Sequence, residues 1–143
     1  LMDGNPPEDL FWIPSLLHLL GMQYFEQKDY ETARLLCQRG LEWCPNYPPL
    51  NHLAGEILRE LGFPLGAIAY FEKCIQLGQA GNYYVGEPFE ISFLTTYPAY
   101  NLGCTYLEMQ RPQDALAAFE LALAFDANFI PAQEKIEEIK QAK

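Results

Sequence analysis

The sequence predicts an all-α fold made by repeating one helix–turn–helix pair, and three observations carry that reading. Three segments align without a gap: Leu20-Gly21-Met22-Gln23-Tyr24, Ala54-Gly55-Glu56-Ile57-Leu58 and Leu102-Gly103-Cys104-Thr105-Tyr106. Each places a Gly ahead of a large residue three positions on. Twelve residues beyond each Gly stands Ala33, Ala67 or Ala115, followed at fixed distances by Cys37, Phe71 or Phe119 and then by Gly40, Cys74 or Ala122. The spacing of Gly21 and Gly55 is about 34 residues, the length of a repeated helix pair. Small residues fall where two helices cross closely, and large ones fill the space between. Stacked pairs of this kind form a groove for a partner rather than a catalytic pocket.

This order of small and large positions resembles the tetratricopeptide repeat, which implies a right-handed α-solenoid. Residues 1–13 are expected as linker and approach, with Asp3-Gly4-Asn5-Pro6-Pro7 reading like a segment cut from a longer protein. The first unit, 14–47, carries its turn in Lys28-Asp29-Tyr30-Glu31 and has Pro45 where the family ends its second helix. The second, 48–81, departs from the pattern: Ala54 replaces a larger residue, the turn reads Gly62-Phe63-Pro64-Leu65-Gly66, and Gln79 takes the proline position. Residues 82–95 are an irregular insert, because Gly81, Gly86 and Pro88 oppose a long helix. Its large apolar residues after Tyr84 need burial or a partner, either against the solenoid's edge or over the groove. The third unit, 96–129, has Ala127 at the proline position. Residues 130–143 form a capping helix, with Pro131 in its first turn, Ile136 and Ile139 on one stripe, and Glu134, Glu137, Glu138 and Lys140 facing water.

Composition narrows the function. The chain has 9 basic and 19 acidic residues in 143, a net charge of −10, and half its residues are hydrophobic. That is enough apolar surface for one continuous core. The charge opposes nucleic acid and anionic membranes as partners. No apolar run reaches the length of a membrane span, and no basic start marks a signal peptide, so a cytoplasmic location is expected. Cys37, Cys44, Cys74 and Cys104 lack metal-ligand spacing and read as reduced, buried thiols; the rival is a disulfide or metal role. No Ser–His–Asp or Cys–His signature and no phosphate-binding glycine loop is present, since Gly78-Gln79-Ala80-Gly81 lacks the lysine. The chain is expected to be non-catalytic, with no cofactor and no metal.

The resemblance also implies which residues line the concave face. In the first unit these are His18, Met22, Phe25 and Glu26. In the second they are His52, Glu56, Arg59 and Glu60. In the third they are Tyr100, Cys104, Leu107 and Glu108, with Tyr97 at the start of that helix. His18, His52 and Tyr100 then form a ring row, and Glu26, Glu60 and Glu108 an acidic row. The expected partner is a protein or peptide with basic or aromatic side chains. The rival reading is an inner helix that merely shows these residues to solvent. The clamp by which some tetratricopeptide domains grip acidic chaperone tails needs Lys, Asn and Arg. This chain offers His18, Met22, Leu53, Tyr97 and Asn101, so such a tail is excluded. Self-association through an exposed edge of the first or third unit is a further expectation.

A narrower resemblance covers the last two-thirds. Tyr83-Tyr84, Tyr97-Pro98-Ala99-Tyr100-Asn101-Leu102-Gly103 and the run from Ala115 through Phe119 to Ala122-Leu123 are similar to repeats that follow the catalytic domain in some bacterial glycosyltransferases. It implies an accessory domain that positions an acceptor or dimerises, without the transferase chemistry.

Overall fold

The computed structural model describes residue 10 and residues 12–142. Within them lie seven α-helices: α1 (Ile13–Glu26), α2 (Tyr30–Trp43), α3 (Pro48–Glu60), α4 (Pro64–Ala80), α5 (Thr96–Glu108), α6 (Pro112–Phe125) and α7 (Ile130–Gln141). A short 3-10 helix, Ile91–Leu94, precedes α5, and the described residues contain no strand. The linker read at 1–13 falls mostly outside the described residues, as does Lys143. Packing is densest within the pairs α1–α2, α3–α4 and α5–α6, and next between α4 and α5, α2 and α3, and α6 and α7. The architecture is the stacked helix-pair solenoid that the repeat predicts.

Local chemistry sets the helix ends. Prolines occupy the first turn of α1, α3, α4, α6 and α7, where a missing N–H costs nothing. Asp29 caps α2 by accepting the Thr32 N–H at 3.2 Å. The three turns inside the pairs share one geometry despite unlike sequences. Lys28, Gly62 and Gln110 all adopt positive φ, at 64°, 87° and 59°. The next residue's N–H then reaches back to Tyr24, Leu58 or Tyr106 carbonyl oxygen at 2.9, 2.8 and 2.9 Å. Only one of the three turns spends a glycine on it, so the motif is invisible in composition.

The repeat glycines sit at close crossings. A Cβ added to Gly55 would stand 2.5 Å from the Phe71 ring, and one on Gly103 would stand 2.4 Å from Phe119. Gly21 faces Leu53 of the next unit instead, because its own unit carries the smaller Cys37 at the ring position. Two buried clusters run through the stack. One gathers Ala33, Cys37, Leu50, Leu53 and Ile57; the other spans Phe71, Leu102, Phe119, Ile136 and Ile139. All four cysteines are buried and unpaired. Burial pushes the thiols of Cys37, Cys44 and Cys74 up to about 12. α7 buries Ala132, Ile136 and Ile139 and turns Glu134, Glu137, Glu138 and Lys140 to solvent.

Candidate functional site

The insert determines which part of the inner face is open. After α4 ends at Gly81, in a left-handed conformation, the chain turns back toward the first unit. The Tyr84 N–H bonds the Asn46 carbonyl at 3.1 Å, and Phe89 packs edge-on against Tyr47. The Glu87 carboxylate accepts the Ser15 N–H at 3.2 Å, in the first turn of α1. The 3-10 helix then lies against α3, α4 and α5. Its Phe93 ring meets His18, His52 and Tyr97 at centroid distances of 5.8, 5.4 and 5.4 Å, each pair steeply inclined. The insert thus forms a strap across the N-terminal halves of the inner helices.

This strap corrects the expected ring row. His52 is only 5% exposed, held between Phe71 and Phe93. Its hydrogen bonds set its form. Arg59 donates to Asn101 Oδ1 at 3.2 Å, which orients the amide so that Nδ2 donates to His52 Nε2 at 2.9 Å. The other ring nitrogen then carries the proton and faces Glu56 at 3.1 Å. His18 is half-buried; burial first, then His52, lowers its pKa to about 4 against the opposing pull of Glu56. Tyr100 leans on Phe119 and Phe129. Burial, chiefly, raises its phenol to about 12. Cys104 is buried as well. Of the thirteen expected groove residues, His18, His52, Tyr100 and Cys104 are therefore engaged in internal packing, Tyr97 packs on Phe93 and bonds Glu90 at 2.9 Å through its hydroxyl, and Phe25 and Leu107 pack in part against the core.

The C-terminal halves of the same helices are open. Met22, Glu26, Glu60 and Glu108 are exposed, and Phe25, Glu56, Arg59 and Leu107 are half-buried, Phe25 against Tyr30. Glu26, Glu60 and Glu108 are the last residues of α1, α3 and α5. A helix C-terminus carries partial negative charge, so a carboxylate there is disfavoured. Arg59 compensates Glu108 by an ion pair whose pull outweighs the burial that opposes its charge. Among the described residues, Glu26 and Glu60 have no such partner.

The sequence did not single out Phe93, Glu87 or the Asn101 bridge. The one available signal was that an insert rich in aromatic residues must bury them somewhere. Among the described residues, no group of three His, Cys, Asp or Glu could hold a metal ion, and no helix is long and apolar enough to cross a membrane.

Residues 14–47 and 98–129 match the tetratricopeptide repeat family model. The unmatched stretch contains the second unit, whose turn and Ala54 depart most from the pattern. Solved structures agree on the fold. The first TPR domain of human RPAP3 is 20% identical over 92% of each chain, with a TM-score of 0.76. The first TPR of Spaghetti (RPAP3), bound to the HSP90 peptide SRMEEVD, is 19% identical over 90% of this chain and 91% of that one, with a TM-score of 0.73. The type III secretion translocator chaperone SycD of Yersinia enterocolitica, in an alternative dimer, is 15% identical over 95% and 96%, with a TM-score of 0.73. No curated protein sequence matches the chain. The likeness to glycosyltransferase repeats rests on sequence motifs alone.

Proposed function

We propose that the chain is a non-catalytic interaction module whose open inner lane takes a protein segment bearing Lys or Arg. The carrying observation is the row Glu26, Glu60 and Glu108. Three carboxylates occupy one repeat position at helix ends where the backbone dipole opposes them, and among the described residues Glu26 and Glu60 form no ion pair. Cationic side chains from a ligand would relieve that repulsion. Met22, Phe25 and Leu107 beside them offer apolar contact for the stems of such residues. The related RPAP3 domain holds a peptide ending Glu-Glu-Val-Asp; an acidic lane disfavours that chemistry and favours the opposite charge.

The test uses a short amidated probe of alternating Lys and Leu, titrated calorimetrically into the protein. Affinity should fall with added salt. The double variant Glu26→Gln/Glu60→Gln should bind several-fold more weakly with unchanged helical circular dichroism. Glu108 is left in place, because its removal would strand Arg59. Equal affinity for the wild type and the double variant would remove the acidic lane from recognition.

A further inference from the structure

The strap's own contacts outline an aromatic box around Phe93. We propose that the box formed by His18, His52 and Tyr97 is a recognition site for a phenylalanine followed by an aliphatic residue. In this chain Phe93 and Leu94 fill it in cis. The three walls come from α1, α3 and α5, one from each helix pair, so the pocket exists only in the assembled stack. Each wall meets the Phe93 ring edge-to-face or nearly so, the arrangement that aromatic quadrupoles favour. Beside it, Leu94 is 1% exposed, and its backbone lies against α4 at Gly78. A Cβ there would come within 3.0 Å of Leu94 Cβ and 3.3 Å of its carbonyl oxygen. The missing side chain at Gly78 therefore gives the segment a backbone seat as well as a ring pocket.

The occupant is short. Ile91–Leu94 is a single 3-10 turn whose first residue is largely exposed, and residues 82–90 form no helix or strand. A tethered segment of this kind competes at an effective concentration on the order of millimolar. A partner presenting the same pair of side chains takes the pocket by lifting the strap. This site is separate from the acidic lane, and its ligand needs no positive charge.

The probe is the acetylated, amidated peptide Glu-Ile-Ser-Phe-Leu, matching residues 90–94 and carrying no basic residue. The chain has two histidines, so two of the three walls can be read from imidazole NMR signals, assigned with His18→Gln. The Phe93→Ala variant should bind the peptide with shifts at both histidines, at least about ten-fold more tightly than the wild type, whose own strap competes. The control Glu-Ile-Ser-Ala-Leu should leave both signals in place. Where Phe93→Ala loses helical circular dichroism, Phe93→Leu, which keeps an apolar filling, supports the same comparison. No shift in a folded variant at millimolar peptide would overturn the proposal, as would equal responses of variant and wild type. Neither result bears on the lysine-bearing probe, so the two readings fail independently.

Discussion

α1 and α3 are the same helix of the repeat, yet α1 buries only Pro14 and Gly21 whereas α3 buries nine of its thirteen residues. The difference does not come from composition. Among the described residues, α3 has a helix pair on either side and the strap across its inner surface, whereas α1 has a pair on one side. His18 and His52 occupy one repeat position and are 34 residues apart in register. One is half-buried at the strap's margin, and the other is enclosed in a hydrogen-bonded chain. Repeat phase fixes the direction in which a side chain points. Stack position and the insert fix what it meets there.

The comparison can be broken most severely at the glycines. Gly103→Leu and Gly55→Leu drive side chains into Phe119 and Phe71, and each should cost more than the roughly 1–3 kcal/mol of ordinary overpacking. Gly21→Ala meets only the end of the Leu53 side chain, at 2.8 Å, and should cost clearly less. Thermal unfolding measures all three. A Gly103→Leu melting temperature within about a degree of wild type would contradict the shared crossing.

His52 and His18 give the next contrast. His52→Ala removes an acceptor from Asn101 and a partner from Glu56 and leaves space beside Phe71, so about 3 kcal/mol of stability should be lost. His18→Ala, at the strap's margin, should lose a fraction of that in urea titrations. Equal losses would mean that the two positions are equivalent after all.

Acid sharpens the same pair. The folded pKa of His18, about 4, lies below the ordinary 6.5. The unfolded chain therefore takes up the proton first. The contribution of neutral His18 is complete above pH 6.5 and is lost as pH falls toward 4, in total about 2 kcal/mol after screening at its exposed edge. His18→Gln should flatten the stability–pH curve across that window. A wild-type curve already flat there would contradict the burial.

The smallest effect concerns the thiols. Because burial holds Cys37 and Cys74 near 12, neither is a thiolate at neutral pH. Iodoacetamide should leave both unmodified in the native protein and label them in denaturant, as mass spectrometry would show.

Much of the fold was legible because the repeat is written in residue sizes. Gly55 with Phe71, and Gly103 with Phe119, are complementary pairs that sequence spacing alone brings together. The turns were less legible: Lys28 and Gln110 accept a left-handed backbone that only Gly62 advertises. The candidate groove was legible only as repeat positions. Glu26, Glu60 and Glu108 share a repeat position that spacing identifies, whereas their place as the last residues of α1, α3 and α5 shows only in the structure. The ring row did not stay open, because the insert has no counterpart within the repeat and its route depends on contacts such as Phe93 with His52 that no period encodes.

A stack of helix pairs assembles through contacts close in sequence, and such topologies fold rapidly from any starting point. The bond from Ser15 to Glu87 crosses 72 positions. A chain emerging from the ribosome thus completes α1 and α2 long before the residues that secure the first turn of α1 exist. Until residues 82–95 arrive, His18 and Tyr47 wait with their aromatic neighbours missing. The strap makes the final ordering of α1 and α2 wait for residues 72 positions further along the chain.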